Sequence, residues 1–298
     1  MSDDKERLRK AQNQLEDLVQ QVKEKRAERE EHESGVFLRV ASGYEFPEMP
    51  RQNAINCRKT LRGHFGKVYA MQWGGMSSSP YNTDPDNHSR ELVSASQDGK
   101  LIIWNADSAL KTQAISLESA WVMTCCFEQT EGRFVASGGL DNRVTIFRVG
   151  EDEENEDPIT LNGHEGYISN CRFLSAEEML SASGDSHCIL WDIETQQQKG
   201  KFSGHSSDVM SISPCPNDPN TFVSGSCDAT AKIWDVRTGH ATHTFEGCES
   251  DVNTVQFMRN GRAFVCGSDD STCRVFDVRS YSEFNCFNDV DTVRPSHA

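Results

Sequence analysis

The chain has 298 residues, 36% of them hydrophobic, and a formal net charge of −16. This acidity argues against electrostatic nucleic-acid binding, which needs clustered Lys and Arg facing phosphate, and favours basic protein partners. The charged start MSDDKERL has no apolar signal core, and no stretch approaches 18 apolar residues. We therefore expect a soluble, cytoplasmic protein that reaches a membrane only through a partner.

Residues 1–33 are predicted to form a coiled-coil helix. Their apolar or small residues follow steps of 3, 4, 3 and 4, the a/d seam of a heptad repeat, at Leu8, Ala11, Leu15, Leu18 and Val22. The helix could lie on its own domain or pair with a partner helix. We favour the partner, because no second apolar stripe follows in the chain. Gly and Pro in residues 34–56 then predict an irregular connector.

From residue 57 onward the sequence repeats. An Asp stands six places before an aromatic residue five times, and the five aromatics are separated by 43, 44, 43 and 42 residues. Each unit contains β-branched runs of four to seven residues between Gly, Asp and Ser turns. This pattern predicts an all-β architecture of small antiparallel sheets with four strands per unit.

The repeated residues are predicted to be structural. The Asp carboxylate in a tight turn can accept bonds from backbone N–H groups and an imidazole, which can extend the network to a Ser or Thr and the aromatic. A catalytic group would be expected once, not five times. The structural set is His64, Asp98, Trp104, Asp141, His164, Asp185, Trp191, His205, Asp228, Trp234 and Asp270.

No other chemistry competes in the sequence. It has no Gly-rich phosphate loop, no nucleophile elbow and no paired carboxylates outside the repeat. The eleven cysteines include no C-x2-C pair, and their odd number rules out complete internal pairing. We therefore expect small buried or half-buried thiols, no metal, no cofactor and no enzymatic activity.

Two insertions interrupt the period, at residues 74–90 and 150–158. Both are polar, acidic or Pro-containing, which is typical of solvated surface loops. A docking role for either insertion is the alternative.

The pattern Gly-His followed by Asp-x5-Trp-Asp resembles the WD repeat, which implies a β-propeller. The stretches TLRGHFGKVYAMQWG, GHEGYISNCRFL, SASGDSHCILWDIET and SGSCDATAKIWDVR follow in one order. Together with the N-terminal helix they resemble the beta subunit of heterotrimeric G proteins over roughly residues 5–285. The resemblance implies a seven-bladed propeller, a helix that pairs with a gamma subunit, and a face that binds the GDP-bound alpha subunit and then effectors in receptor signalling at the inner face of the plasma membrane.

The resemblance also implies contact residues. The gamma subunit would meet Leu8, Ala11, Leu15, Leu18 and Val22. The alpha subunit and effectors would meet one face at Lys67, Tyr69, Trp121, Met123, Leu140, Asn142, Tyr167, Asp208, Met210, Asp251, Asn253 and Asp269. The alpha N-terminal helix would meet Lys100, Ile102 and Lys111, of which Lys100 and Ile102 are expected to face outward. Alternatively, Tyr69, Met123 and Met210 only plug a propeller channel.

The chain departs from the family pattern after its fifth unit. That unit closes at residues 274–279, residues 282–287 can supply one more strand, and residues 288–298 form a divergent tail. Five of seven expected blades, residues 57–287, are therefore recognisable. They could stand as an open arc or close as a five-bladed ring, and we favour the open arc. The alternative function is a truncated scaffold or decoy that binds gamma or effectors without a productive heterotrimer.

Overall fold

The computed structural model describes residues 57–74, 91–130, 132–150 and 157–287. The predicted N-terminal helix, with its gamma-binding residues, lies outside these residues, as do the predicted connector up to residue 56, most of both insertions and the tail. The described residues from Lys59 onward belong to one compact unit. No helix with the length and apolar character needed to cross a bilayer occurs among them.

The described chain forms twenty strands in five antiparallel sheets, and the strands of each sheet pair in chain order. Sheet 1 contains β1 Val68–Trp73, β2 Glu91–Ser96, β3 Lys100–Asn105 and β4 Leu110–Ser116. Sheet 2 contains β5 Val122–Phe127, β6 Phe134–Gly139, β7 Arg143–Arg148 and β8 Ile159–Asn162. Sheet 3 contains β9 Ile168–Phe173, β10 Glu178–Ser183, β11 His187–Asp192 and β12 Gln197–Ser203.

Sheets 4 and 5 follow the same plan. Sheet 4 contains β13 Val209–Cys215, β14 Asp218–Ser226, β15 Ala231–Asp235 and β16 His240–Phe245. Sheet 5 contains β17 Val252–Phe257, β18 Ala263–Ser268, β19 Cys273–Asp277 and β20 Ser282–Phe287. For the described residues, the prediction of an all-β architecture of four-stranded propeller blades is confirmed.

The turn between the second and third strands of each sheet has one recurring geometry. The repeated Asp accepts a hydrogen bond from the backbone N–H two residues ahead, at 3.0 Å from His187 in sheet 3 and 2.9 Å from Thr272 in sheet 5. The residue between donor and acceptor has a positive φ in all five turns: Gly99, Asn142, Ser186, Ala229 and Ser271. An Asx turn of this kind closes a hairpin tightly, which explains the recurrence of Asp at this position.

The segments before the Gly-His pairs belong to the preceding sheet. β8 leads into His164, and β12 leads into His205. One sequence repeat therefore supplies the outer strand of one sheet and the three inner strands of the next. The loop that carries each His joins two neighbouring sheets.

Neighbouring sheets bury a shared apolar layer. One cluster joins Val93 and Ile103 of sheet 1 to Cys125 and Phe127 of sheet 2, and similar clusters join each later pair of sheets. The buried indoles of Trp104, Trp191 and Trp234 are among the largest fully enclosed side chains.

In the first sheet, the apolar residues of β1 that correspond to this layer are exposed. Met71 and Trp73 of β1 are 48% and 55% exposed, whereas Cys125 and Phe127, which hold the same positions in β5, are 1% and 2% exposed. Sheet 1 packs on β5 and buries Cys125 and Phe127. No described residue packs on β1 in the same way. The described sheets therefore form an open series, not a closed five-bladed ring, as we favoured from the sequence.

Candidate functional site

One end of the five sheets gathers the residues predicted to meet the alpha-subunit switch region. Each stands just before or inside the first strand of a sheet, or in the turn between the second and third strands. We call this set the rim: Lys67, Tyr69, Trp121, Met123, Leu140, Asn142, Tyr167, Asp208, Met210, Asp251, Asn253 and Asp269. None of these residues belongs to the fully buried class.

The rim begins with an aromatic pair that joins sheets 1 and 2. The rings of Tyr69 and Trp121 stack with their centroids 6.0 Å apart and an interplanar angle of 24°. Trp121 has a φ of 66°, a conformation that costs free energy for a bulky residue and needs support from its surroundings. Gly139 makes room for this backbone, because a Cβ there would lie 2.4 Å from the Trp121 carbonyl oxygen. The indole still exposes 42% of its surface.

Sheet 2 presents an apolar residue beside this pair and a polar link to sheet 3. Leu140 is 51% exposed in the turn between β6 and β7. Asn142, which follows the turn aspartate, donates a hydrogen bond from Nδ2 to the Glu165 carbonyl oxygen at 3.1 Å. Phe65, near the first sheet, is 91% exposed and adds further apolar surface. Leu140 and Phe65, together with Trp121, are large apolar side chains that the fold leaves exposed.

Sheets 3 and 4 are joined through Tyr167. Its hydroxyl donates to Asp208 Oδ2 at 2.9 Å and lies 3.5 Å from Met210 Sδ. Burial, followed by the bond to the Asp208 carboxylate, raises the pKa of the phenol, so the hydroxyl keeps its proton and remains a donor. Gly184 leaves space for the ring, because a Cβ there would lie 2.4 Å from Tyr167 Cε1.

The far end of the rim is acidic. The Asp208 carbonyl accepts the N–H of Cys227 at 2.9 Å, and the Asp251 carbonyl accepts the N–H of Asp269 at 3.0 Å. Asn253 donates its side-chain N–H to the Asp269 carboxylate. Burial, together with a hydrogen bond to Asp251, raises the pKa of the Cys227 thiol to about 12. The three carboxylates give this end of the rim a negative field that suits a cationic partner.

The repeated residues are bonded inward. In sheet 3, His164 Nδ1 lies 2.8 Å from the Asp185 carboxylate, which also accepts the Glu165 N–H at 3.0 Å. His164 Nε2 lies 2.7 Å from Ser181 Oγ, and the Trp191 indole N–H donates to the same oxygen at 2.8 Å. Burial lowers the pKa of His164, so the ring is neutral, with its proton on Nδ1 and the serine hydroxyl donating to Nε2.

Sheets 1 and 4 contain the same four residue types in the same order. The distance from His Nε2 to Ser Oγ is 2.7 Å in both sheets. The distance from imidazole to carboxylate is 3.3 Å in sheet 1 and 2.8 Å in sheet 4. The two sets are His64, Asp98, Ser94 and Trp104, and His205, Asp228, Ser224 and Trp234. We predicted a Ser or Thr in this network without naming it; its signal is a Ser four residues before the Asp.

Sheets 2 and 5 depart from this arrangement. Within the described part of the chain, Asp141 accepts a long bond of 3.4 Å from the Arg143 N–H of its own turn, and Glu118 holds the position that His164 has in sheet 3. In sheet 5, Asp270 accepts the Glu249 N–H at 2.9 Å, but Cys248 holds the histidine position. The network is therefore complete in three of the five sheets.

The expectation that Ile102 faces outward is wrong. This side chain is 1% exposed and packs in a cluster with Leu92, Trp104 and Leu61. β3 is an inner strand with residues covered on both faces, so alternation does not bring Ile102 to the surface. Its neighbour Lys100 is half-buried. Lys111 is exposed on β4, with Nζ 5.8 Å from the Trp104 ring centroid and 3.5 Å from the Gly63 carbonyl oxygen.

No group of three or more potential metal-ligating side chains occurs in the described part of the chain. What the described residues offer chemically is a surface: exposed aromatic and aliphatic groups at one end of the rim and carboxylates at the other.

Comparison with known proteins is consistent with this geometry. Residues 2–294 match the family model described as G protein beta WD-40 repeat protein. The chain is 50% identical over 174 residues to the guanine nucleotide-binding protein G(I)/G(S)/G(T) subunit beta-1 of Homarus americanus, and 48% identical over 174 residues to the guanine nucleotide-binding protein subunit beta-1 of Caenorhabditis briggsae. Each alignment covers 58% of this chain and 47% of the relative, so the chain spans about half the length of the curated relatives it matches. The chain belongs to the G protein beta WD-40 repeat family.

Proposed function

We propose that the chain is a noncatalytic beta subunit of a heterotrimeric G protein. In this proposal residues 1–33 pair with a gamma subunit, and the rim binds the GDP-bound alpha subunit and, after activation, effectors of receptor signalling. The protein acts in the cytoplasm at the inner face of the plasma membrane, which it reaches through the lipid anchor of a partner. Residues 57–287 form the blades, and residues 34–56 and 288–298 are a connector and a tail.

The rim carries this proposal. Five successive sheets place their rim residues at one end, and at this end hydrogen bonds or ring stacking join each sheet to the next, the last junction through Cys227 and Asp251. A large aromatic pair flanked by polar and charged groups is the composition of an interface hot spot with a polar surround. Noncatalytic binding is supported by sheets 1, 3 and 4, where the repeated His and Asp bond to each other and His also bonds to a buried Ser.

The supporting experiment measures alpha-subunit binding. The chain is co-expressed with a gamma subunit, purified, and titrated with a GDP-loaded alpha subunit in a calorimeter. We expect co-purification with gamma and saturable binding of alpha that Trp121→Ala weakens about 30-fold, the scale of an interface hot spot. Trp73→Ala is the matched control, because it removes another exposed tryptophan side chain, at the end of β1 and outside the rim. If Trp121→Ala leaves the affinity for the alpha subunit unchanged, the rim is not the surface that binds it.

The open layer of β1 favours the second candidate function, a scaffold or decoy. Among the described residues, nothing covers Met71 and Trp73 in the way that sheet 1 covers their counterparts in sheet 2. The rim consists of residues from these five sheets. A chain that co-purifies with gamma but shows no alpha binding in the same titration would be such a decoy.

A further inference from the structure

Sheet 5 contains two cysteines where sheets 1, 3 and 4 contain a histidine and a serine. Cys248 precedes the start of β17 by four residues, as His164 precedes the start of β9. Cys266 precedes Asp270 by four residues, as Ser181 precedes Asp185. The third position changes as well, because Phe276 replaces the tryptophan whose indole N–H donates to the serine.

The loop that carries Cys248 is nevertheless held as in the other sheets. Asp270 Oδ2 accepts the Glu249 N–H at 2.9 Å, and the equivalent bond in sheet 3 is 3.0 Å. This bond directs Cys248 toward Cys266, and the two sulfur atoms lie 3.7 Å apart. A disulfide needs about 2.05 Å. Cys248 lies outside the strands, in the loop between β16 and β17, whereas Cys266 lies in β18, so closing the bond requires a shift of the loop sulfur toward the strand.

The two thiols differ in their surroundings. Cys248 is half-buried, whereas Cys266 is 1% exposed. A hydrogen bond from Cys266 and the nearby Arg274 guanidinium lower the pKa of Cys248. The bond to Cys248 and burial raise the pKa of Cys266. Cys248 is therefore the accessible thiol with the greater thiolate character, and Cys266 is the protected thiol beside it.

We propose that Cys248 and Cys266 form a reversible intramolecular disulfide, with hydrogen peroxide as the oxidant. The Cys248 thiolate attacks one peroxide oxygen, the O–O bond breaks, and Cys248 becomes a sulfenic acid. The other oxygen leaves as hydroxide, which takes up the proton that Cys248 released on ionising and becomes water. The Cys266 sulfur then attacks the Cys248 sulfur, the S–O bond breaks, and the departing hydroxide takes the Cys266 proton to form water. Two thiols and one peroxide give one disulfide and two waters. An added thiol reverses the reaction by exchange.

A second close pair in the molecule provides an internal comparison. The sulfurs of Cys126 and Cys171 lie 3.5 Å apart, but both residues are 0% exposed in the layer between sheets 2 and 3. Peroxide in solution cannot reach either thiol without an opening of that layer. Proximity alone would favour this pair, and accessibility favours Cys248 with Cys266.

The test is peptide mapping of the full chain before and after peroxide, in a Cys273→Ser background. Cys273 is replaced because it shares a tryptic peptide, residues 263–274, with Cys266, whereas Cys248 lies in residues 238–259. After treatment, blocking of free thiols and digestion without reductant, we expect the two peptides joined with the loss of two hydrogen atoms. Dithiothreitol should separate them. In the Cys266→Ser variant, Cys248 should accumulate as a sulfenic acid that dimedone labels.

The matched control restores the side chains of the other sheets with Cys248→His and Cys266→Ser together. This variant should fold and show neither a linked peptide nor dimedone labelling in residues 238–259. The proposal is overturned if peroxide leaves both thiols of the parent chain free, if it oxidises Cys248 without linking it to Cys266, or if Cys126 and Cys171 become linked at a comparable rate.

Discussion

The indole of Trp121 stacks on the phenol of Tyr69 across the boundary between sheets 1 and 2, with the ring centroids 6.0 Å apart. Tyr69 is half-buried and lies one residue inside β1, so its position is fixed by the strand. Trp121 precedes β5 in a left-handed conformation and is the more exposed of the two. The stack therefore gives an exposed, strained residue a fixed orientation at the surface.

This arrangement predicts that Tyr69 and Trp121 act together in binding an alpha subunit. Each single change to Ala should weaken binding, and the double change should differ from the sum of the single effects by about 0.5–1.5 kcal/mol, because either change alone already destroys the stack. Calorimetric titration of the four proteins measures this coupling. Trp121 paired with Met210, two sheets away, is the control and should be additive within about 0.5 kcal/mol. Additivity for the stacked pair would show that the tyrosine does not orient the indole.

The second prediction concerns the buried network of sheet 4. His205→Ala removes one of the two partners of Ser224 Oγ and one partner of Asp228, and leaves space beside the Trp234 ring. We expect a loss of about 2–4 kcal/mol in the free energy of unfolding, because buried polar groups lose their bonds and gain no water. Denaturant unfolding measures the change. His240→Ala, at an exposed position in the same sheet, should stay within about 0.5 kcal/mol. Equal effects for the two histidines would contradict the structural role of His205.

Much of this network could be predicted from the sequence because it depends on short-range register. The spacing from Asp to the aromatic and the Gly-His pair specify which strand ends meet, and the bonds of sheets 1, 3 and 4 follow from that spacing. The outward orientation predicted for Ile102 is wrong for a different reason. Whether both faces of β3 are covered depends on packing against other sheets and on Leu61, about forty residues earlier, and no local pattern records it.

The exposed residues of β1 and the cysteine pair of sheet 5 show the same difference between what local spacing predicts and what packing decides. The five units could be counted in the sequence, but the exposure of Met71 and Trp73 results from which sheets are present beside β1. Cys248 and Cys266 each hold a repeat position that could be counted. Their closeness became clear only when the loop and the strand were seen together, with the sulfurs 3.7 Å apart.

The third prediction is a pH dependence of stability. Burial lowers the pKa of His164 and of His205, so below about pH 6.5 the unfolded chain binds protons that the folded chain does not. The free energy of unfolding should therefore be highest above pH 6.5 and fall as the pH drops through the window between that value and the lower folded pKa values. Asp185 and Asp228, whose pKa values are lowered in the fold, extend the loss below about pH 3.8.

Denaturant unfolding at pH 7.5 and at pH 5.5 measures this dependence. The matched variant carries His164→Gln and His205→Gln, which keep a polar side chain but cannot titrate. It should be less stable at pH 7.5 and lose less stability than the parent between the two pH values. A variant that loses as much as the parent would assign the acid sensitivity to other groups.

The fourth prediction separates burial from partner contact at Ile102. Ile102→Ala should lower the free energy of unfolding by about 2–4 kcal/mol, because it opens a cavity beside Trp104 and Leu92. It should leave the affinity of the folded protein for an alpha subunit unchanged, since the side chain is 1% exposed. Leu110→Ala, at a 66% exposed position on the neighbouring strand β4, should change stability by less than about 0.5 kcal/mol. Denaturant unfolding and titration at a temperature where both variants are folded give the two quantities. Weaker alpha binding by a fully folded Ile102→Ala protein would mean that the side chain reaches the partner, and the burial found here would not persist in the complex.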